Sequence, residues 1–475
     1  MKWLTLVFMV FILQTGLIFL LEYRRPQRLR AWLFIMYVCP PLGFLVYYFL
    51  GKEYANARKA DPKGERLMQD IRKAVSARLR ESDSGAGSGD EAAGRRRLLR
   101  LIGKLSDAPV SGCNQTQMLT KAGQAYDSML EAMEQAEEHI HMEFYIFRDD
   151  YSGGRFQEMM LRKARQGVRV RLLCDGMGSI SLGAKFVQQL RRGGVEVHFF
   201  LPLLMSAAER RLNFRSHRKL LIVDGKVGFT GGMNIGDEYL GQDPELGYWR
   251  DMFLRIEGDA VYELQFAFLK HWRLASGDCL SHPRLFPSHA CSGEESVKIV
   301  GSGPGGKLDT AEQLVFGALS SADRRVWIAS PYFIPDPAIV RALESAALAG
   351  VDVRILLPAH PDNRLVYYAS LSYVEELQRS GVKFYLFRRG FMHSKLMVVD
   401  RYFASIGSAN LDMRSFYANF ELTAVLLHPD TVDRLAGILE HDLRHSDYIH
   451  PAVFRARGRK ARLLETLSRL LSPLL

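Results

Sequence analysis

The sequence predicts an α/β protein made of two similar halves that follow an apolar N-terminal segment. Residues 217–234 and 393–410 carry the same residue types at the same spacing, which indicates an internal repeat. Segments typical of helices and strands alternate in the same order before each of these stretches. Two apolar runs, 3–21 and 31–50, precede both. We therefore expect two α/β/α halves related by pseudo-twofold symmetry, preceded by an N-terminal two-helix transmembrane hairpin.

The two apolar runs contain no charged residue and are long enough to span a bilayer as helices. Pro40 and Pro41 interrupt the second run, which can therefore be kinked or partly re-entrant. The alternative for the first run is a cleaved signal peptide. One lysine precedes that run and no small-x-small cleavage site follows it, so a retained segment is the better interpretation.

Basic residues near the apolar runs predict the orientation of the chain. The loop 22–30 contains four arginines, whereas the segment 52–80 contains nine lysines and arginines. Since cytoplasmic flanks carry the larger excess of basic residues, we expect the body on the cytoplasmic side of a bacterial inner membrane, although the loop arginines oppose this. Residues 53–80 are typical of a charged helix and 81–94 of a flexible linker. The expected domains are a hairpin at 1–52, helix and linker at 53–107, and the two halves at 108–285 and 286–475.

Each half is expected to contain three helix–strand pairs before its histidine-bearing strand. The first half has predicted helices at 124–138, 156–165 and 184–192 and predicted strands at 139–147, 167–175 and 194–200. The second half has predicted helices at 308–321, 338–348 and 366–379 and predicted strands at 326–334, 350–358 and 381–387. Because helix and strand alternate, the sheet of each half should be largely parallel.

Charge and cysteine content limit the class of partner and the compartment. The formal net charge of +11 suits an anionic partner such as a lipid headgroup, a nucleic acid or an acidic membrane, without choosing among them. The five cysteines are Cys39, Cys113, Cys174, Cys279 and Cys291, and they form no C-x-x-C pair. This scatter argues against a disulfide framework or a zinc site and fits a reducing compartment.

Each repeated stretch begins with a histidine, a lysine and an aspartate in the pattern H-x-K-x4-D. The residues are His217, Lys219 and Asp224 in the first copy and His393, Lys395 and Asp400 in the second. On a strand, positions two apart face the same side, so each histidine should lie beside a lysine. A nucleophile or proton carrier beside a fixed cation suits an anionic phosphoryl group. The aspartates should lie at the far end of each strand, near a turn, in a structural role.

Small residues and an asparagine follow both motifs at equal distance, where they could close on phosphate oxygens. They are Gly231, Gly232 and Asn234 in the first copy and Gly407, Ser408 and Asn410 in the second. One copy alone would be a weak signal, typical of a basic surface strand. Two copies related by a pseudo-twofold would bring both histidines to one junction around one phosphate. One histidine could then attack phosphorus while the other protonates the leaving oxygen.

These motifs resemble those of the phospholipase D superfamily, and the resemblance covers nearly all of the chain from residue 108 onward. It implies a phosphohistidine intermediate with no metal and no other cofactor. It also implies that the lysines and asparagines, with a smaller contribution from Ser408, hold the phosphate oxygens. A histidine in this role needs a carboxylate on its far nitrogen. The matching positions are Asp251, within Trp249-Arg250-Asp251, and Glu421, within Asn419-Phe420-Glu421.

Within that superfamily the chain looks most like the bacterial cardiolipin synthases, because of its paired apolar runs and its motifs at 331–336, 234–239, 249–251 and 410–416. This resemblance implies condensation of two phosphatidylglycerol molecules into cardiolipin and glycerol at a membrane. The substrate would be an anionic phospholipid, and neither a nucleotide nor a nucleic acid is implied. Three alternatives remain open: a phospholipase D hydrolase in which water is the acceptor, a nuclease of the same superfamily, and a membrane scaffold without activity.

Overall fold

A computed structural model describes residues 2–23, 26–51, 62–81, 93–106, 108–288, 290–291, 293–306 and 308–475. The body is a mixed α/β structure around one continuous sheet of sixteen strands. Alternate residues of its strands enter different core clusters: Val326 and Ile328 pack in one, and Trp327 and Ala329 in another. Both faces of the sheet are therefore covered, as the period of two along a strand requires.

The helices in the described part of the chain include long amphipathic helices and several short ones. They are α1 (Lys2–Glu22), α2 (Pro26–Val38), α3 (Pro40–Leu50), α4 (Pro62–Glu81), α5 (Ala93–Ser106), α6 (Ala122–Glu134), α7 (Tyr151–Arg165), α8 (Ala184–Arg192), α9 (Leu203–Ala208), α10 (Ala260–Ser276), α11 (Thr310–Ser320), α12 (Pro337–Leu348), α13 (Arg364–Leu371), α14 (Val374–Arg379), α15 (Met413–Tyr417), α16 (Pro429–Arg444), α17 (Pro451–Arg455) and α18 (Arg459–Leu471). Short 3-10 helices occur at Asp237–Leu240, Pro283–Leu285 and Ser472–Leu474.

The strands are mostly short and buried. They are β1 (Ser111–Leu119), β2 (His139–Phe144), β3 (Arg169–Asp175), β4 (Glu196–Phe200), β5 (Arg215–Ser216), β6 (Lys219–Val223), β7 (Val227–Gly231), β8 (Trp249–Arg250), β9 (Phe253–Gly258), β10 (Glu295–Ser302), β11 (Arg325–Ala329), β12 (Phe333–Ile334), β13 (Asp352–Pro358), β14 (Lys383–Phe387), β15 (Phe391–Met392), β16 (Leu396–Val399), β17 (Phe403–Gly407), β18 (Leu411–Asp412), β19 (Asn419–Leu426) and β20 (Ser446–Tyr448).

The strand order of the sheet contains the predicted internal symmetry. From its centre outward, one side runs β1-β9-β7-β6-β2-β3-β4 and the other runs β10-β19-β17-β16-β11-β13-β14, with β20 at the outer edge. The two sides meet where β1 pairs antiparallel with β10. Each strand of one half thus has a counterpart at the same distance from the centre, which confirms two like halves.

The prediction of a largely parallel sheet was wrong. Within the sixteen-stranded sheet, the parallel pairs inside the first half join β2, β3 and β4, and those inside the second half join β11, β13 and β14. The strand that follows each histidine is antiparallel to both of its neighbours. A tight turn begins at Asp224, between β6 and β7, and another at Asp400, between β16 and β17, and both aspartates have positive φ. So short a connection can join only antiparallel strands.

The second apolar run forms two helices that fold back on each other. α2 ends at Val38 and α3 begins at Pro40, and the rings of Trp32 and Tyr47 meet with their centroids 5.1 Å apart. A continuous helix would separate these positions by about 22 Å. Among the described residues, no helix combines the length and the apolar character needed to cross a membrane. The transmembrane hairpin is therefore not confirmed, and the predicted kink at Pro40 is a reversal of the chain.

The segment between the apolar runs and the body is described only in part. The charged helix predicted at 53–80 corresponds to α4. Residues 52–61, where that helix was expected to begin, and 82–92, which make up most of the predicted linker, lie outside the described residues.

The prediction that no cysteines pair was wrong. Cys113 and Cys291 form a disulfide with their Cα atoms 4.9 Å apart, although 178 residues separate them in the sequence. Cys113 lies in β1, and Cys291 precedes β10, which pairs with β1 across the centre of the sheet. Contact between the halves, which spacing along the chain does not reveal, brings the two thiols together.

Candidate active site

The two histidines lie where the halves cross over, each held by backbone of the opposite half. β5 pairs with β19, and the next residue, His217, donates its backbone N–H to the carbonyl of Phe420 at 2.9 Å. Likewise β15 pairs with β8, and His393 donates to the carbonyl of Arg250 at 2.8 Å. A buried ion pair of 2.7 Å between Arg250 and Asp442 also joins the halves here. The position of each histidine therefore depends on both halves.

The carboxylates that contact the histidines also cross between the halves. His217 Nδ1 lies 3.0 and 3.1 Å from the two carboxylate oxygens of Glu421, and His393 Nδ1 lies 2.6 Å from Asp251 Oδ2. Both carboxylates are fully buried. Each therefore accepts the Nδ1–H of the histidine and leaves Nε2 for the cavity. The sequence predicted both acids but associated each with its own motif, whereas the structure pairs each with the other half's histidine.

The small residues after each motif make room for these carboxylates or bond to them. The hydroxyl of Ser408 donates to Glu421 Oε2 at 2.5 Å and accepts the backbone N–H of Leu422 at 2.9 Å. At the equivalent position, a Cβ on Gly232 would collide with the carboxylate of Asp251. The structure thus places Ser408 against Glu421, and its expected contribution to binding phosphate stays a prediction.

Two buried lysines share the site with the histidines. Lys219 Nζ donates to the carbonyl of His217 at 2.6 Å. Lys395 Nζ donates to the carbonyl of His393 at 2.6 Å and lies 2.9 Å from Nε2 of the same ring. Burial lowers the pKa of Lys395 to about 8. Burial, and next the charge of Lys395, lower the pKa of Lys219 well below its usual value. The two ammonium groups thus act on one small volume, which favours an anion there.

The histidines are neutral and their carboxylates ionised. Burial lowers the pKa of His217 to about 4 and that of His393 to about 3, and the lysine charges act in the same direction. Burial would raise the pKa of Glu421, but its contacts with His217, Lys219 and Ser408 outweigh this and lower it to about 2. In the same way Lys395 and His393 keep the pKa of Asp251 below its usual value despite burial. A neutral imidazole has the lone pair that a nucleophile needs.

A cavity of about 470 Å³ is lined by both histidines and both predicted asparagines. The amide of Asn234 accepts from the N–H of Ile146 at 3.1 Å and donates to the hydroxyl of Tyr239 at 3.0 Å. In contrast, Asn410 Oδ1 is buried and has no hydrogen-bond partner among the described residues. Because this atom is an acceptor, its lack of a partner does not by itself favour contact with an anionic ligand.

The motif aspartates lie away from the cavity. Asp224 accepts the backbone N–H groups of residues 137–139 at 2.8 to 2.9 Å. Asp400 accepts those of residues 323–325 over the same distances. Five residues of strand separate each aspartate from its lysine by about 16 Å. Each aspartate anchors the start of the neighbouring strand, in the structural role that its place near a turn suggested.

Several cavity residues were given no role from the sequence, although Trp249, Tyr332 and Arg414 lie within the motifs named above. The ring of Tyr145 lies 5.1 Å from that of His217, and the ring of Trp249 lies 4.9 Å from that of His393. Arg215, Tyr332 and Arg414 also line the cavity. Tyr145 and Tyr332 follow the equivalent strands β2 and β11, whose carboxyl ends face the cavity. The rule that sites form at the carboxyl ends of parallel strands could have identified them.

Comparison with known proteins agrees with this geometry. The family model described as "Cardiolipin synthase, PLD-like domain" matches residues 129–272 and 315–443. The chain belongs to this family. It is 41% identical to a cardiolipin synthase of Alkalihalophilus pseudofirmus, over 99% of this chain and 94% of the relative. It is 42% identical to a cardiolipin synthase of Geobacillus kaustophilus, over 97% and 91% of the two chains.

The fold is also found in a solved structure. The phosphatidylserine synthase of Haemophilus influenzae superposes with a TM-score of 0.62 at 14% identity, covering 80% of this chain and 100% of that one. This likeness confirms the fold of the body. The assignment to the family rests on the sequence relatives.

Proposed function

We infer that the chain is a phosphatidyltransferase that condenses two phosphatidylglycerol molecules into cardiolipin and glycerol through a phosphohistidine intermediate. The observation that carries this is the pair of crossed contacts, His217 with Glu421 and His393 with Asp251, beside two buried lysines at one cavity. Family membership supports the same substrate and product. In this proposal residues 108–285 and 286–475 are the two halves that form the site together.

The reaction has two steps with balanced proton transfers. Nε2 of one histidine attacks phosphorus of the first lipid, and the bond from phosphorus to the glycerol headgroup breaks. The second histidine donates a proton to the departing glycerol oxygen. A hydroxyl of the second phosphatidylglycerol then attacks the phosphohistidine, giving its proton to the second histidine as the N–P bond breaks. Cardiolipin leaves and both histidines return to their starting states.

The charges around the cavity suit each stage. The low pKa of both histidines leaves them neutral when the cavity is empty. A bound phosphodiester brings a negative charge, which raises the pKa of the proton-carrying histidine towards the range in which it can act as an acid. Glu421 and Asp251 stabilise the imidazolium that forms. We propose that Lys219, Lys395, Asn234 and Asn410 hold the phosphate oxygens and stabilise the charge of the transition state.

We propose His217 as the nucleophile. Lys395 Nζ lies 2.9 Å from both Nδ1 and Nε2 of His393, so its positive charge rests against that ring and disfavours the positive charge that the ring would gain by attacking phosphorus. Lys219 instead donates to the backbone carbonyl of His217. In the described part of the chain no hydrogen bond reaches Nε2 of His217, which therefore remains available. His393 then carries the proton to the leaving group.

We also propose that the protein works on a bacterial cell membrane with its body on the cytoplasmic side. The nine basic residues of 52–80 support this orientation. The Cys113–Cys291 disulfide opposes it, because disulfides persist in oxidising compartments. Labelling of the partly exposed Cys279 in intact spheroplasts with a membrane-impermeant maleimide decides between the two sides. A cytoplasmic body predicts labelling only after lysis, and labelling before lysis would contradict it.

The activity itself is tested with purified protein and vesicles of phosphatidylglycerol. We expect cardiolipin and free glycerol in equal amounts, without added metal or nucleotide. The second candidate function, hydrolysis, follows from the same residues, since water could attack the phosphohistidine in place of the second lipid. Phosphatidic acid as the sole product would assign the chain to that class instead.

A further inference from the structure

The cavity has an apolar wall that the phosphate chemistry does not use. Leu474 and Leu475, beyond the last long helix, line the same cavity as His217 and His393. The two leucines are far from the histidine motifs in the sequence, yet they lie beside a site with two lysines and several other polar groups. A site for a phosphate alone would gain nothing from apolar side chains at this position.

The wall is held firmly in place by the body. α18 packs along α13, and Arg469 on α18 forms an ion pair of 2.5 Å with Glu376 and donates to the carbonyl of Ser372 at 3.1 Å. The turn that follows closes with the N–H of Leu475 donating to the carbonyl of Ser472, which is almost fully buried. The turn itself also packs against α2 and α15, which fixes the leucines beside the cavity.

The wall also continues into the apolar N-terminal helices. Leu474 packs against a cluster that includes Trp32, Met36 and Tyr47 on the reversed helices α2 and α3. The same helices expose Tyr37 and Val38, with 80% and 62% of their surface accessible. Leu474 therefore contacts both the apolar N-terminal helices and the cavity that both histidines line.

We propose that Leu474 and Leu475 bind an acyl chain of the glycerophospholipid whose phosphate lies between the histidines. This inference rests on the proposed phosphatidyl transfer and extends it to the lipid's apolar part. A molecule with one anionic phosphodiester and long apolar chains matches both the charged end and the apolar wall of the cavity. The leucines therefore select lipids with long chains over short-chain or soluble phosphodiesters.

The first test compares long and short acyl chains in the double variant Leu474→Ala/Leu475→Ala. The matched control is Leu463→Ala/Leu467→Ala, which removes two exposed leucines from α18. We measure kcat/KM for dioleoyl- and dihexanoyl-phosphatidylglycerol and take the ratio. The ratio should fall by about tenfold in the first variant and stay within about twofold in the control. An unchanged ratio in the first variant, whether or not both rates fall, would overturn the proposal.

The second test needs no turnover and keeps both Leu474 and Leu475, so it does not depend on whether the double variant folds. The inactive variant His217→Ala is exposed to vesicles of phosphatidylglycerol with a photoreactive diazirine at the acyl terminus, and adducts are mapped by mass spectrometry. Adducts on residues 472–475 are expected, and adducts only elsewhere would overturn the acyl site. If adducts form there but the unmodified enzyme makes no cardiolipin, the transferase proposal fails and the acyl site stands.

Discussion

Replacing Glu421 with glutamine tests the crossed contact between the halves. Glutamine keeps the shape of the side chain and can still bond to Ser408 and Asn419, which contact Glu421 at 2.5 and 3.3 Å. It removes the negative charge 3.0 Å from His217 Nδ1. At an effective dielectric constant of 20 that charge stabilises an imidazolium by at most about 5.5 kcal/mol, and a charge-assisted hydrogen bond contributes about 2 kcal/mol at the least.

These limits predict a decrease in kcat of between about 30-fold and about 10⁴-fold, since each 1.36 kcal/mol is a factor of ten. Cardiolipin formation is followed with radiolabelled phosphatidylglycerol. The matched control is Glu263→Gln, a buried carboxylate that pairs with Lys298 outside the cavity and should lower stability without changing turnover per folded molecule. The reasoning is refuted if Glu421→Gln turns over at the normal rate. It is also refuted if a double-mutant cycle couples His217 to Asp251 instead of Glu421.

Three further predictions concern the histidines, the pH dependence and the motif aspartates. Alanine at His217 or His393 should each lower kcat per folded molecule by at least about 10⁴-fold, and near-normal cardiolipin yield would contradict the role of either ring. The pH profile of kcat/KM should fall on the alkaline side, because His393 must carry a proton to act as the acid and because Lys395, whose pKa burial lowers to about 8, loses its charge there. A value of kcat/KM that stays constant from about pH 6 to about pH 9 would contradict both roles. Asp400→Ala should lose about 3 kcal/mol in urea unfolding, because three backbone N–H groups lose their acceptor, while turnover per folded molecule stays within about threefold. A loss of turnover without a loss of stability would mean that Asp400 acts in the reaction.

The sequence predicted the elements that depend on local pattern. Helix α8 lies where the apolar spacing placed it, and the repeated motifs predicted two like halves. The two carboxylates were identified through the resemblance to the phospholipase D superfamily, because their spacing from the histidines of their motifs differs, at 34 and 28 residues. The helix expected at 366–379 is interrupted after Leu371, giving α13 and α14, and no proline or glycine in that stretch signals the break.

What the sequence did not predict depends on contacts between distant segments. Short strands of one half pair with strands of the other, and this brings His217 to Glu421 and His393 to Asp251. No periodicity in the sequence encodes that pairing. The same holds for the Cys113–Cys291 disulfide and for Leu474 at the cavity. In contrast, the antiparallel direction of the strands that follow the histidines could have been predicted. Asp224 followed by Gly225 is a tight-turn signal that would have predicted an antiparallel hairpin.

The most direct test of one shared phosphate site is to trap the covalent intermediate. The enzyme is mixed with phosphatidylglycerol, quenched under alkaline denaturing conditions within the first turnover, and analysed by peptide mass spectrometry. Our account predicts at most one phosphatidyl group per chain, on His217, and its loss in His217→Ala. Two groups on a single chain, or cardiolipin formation with no adduct on either His217 or His393, would contradict it.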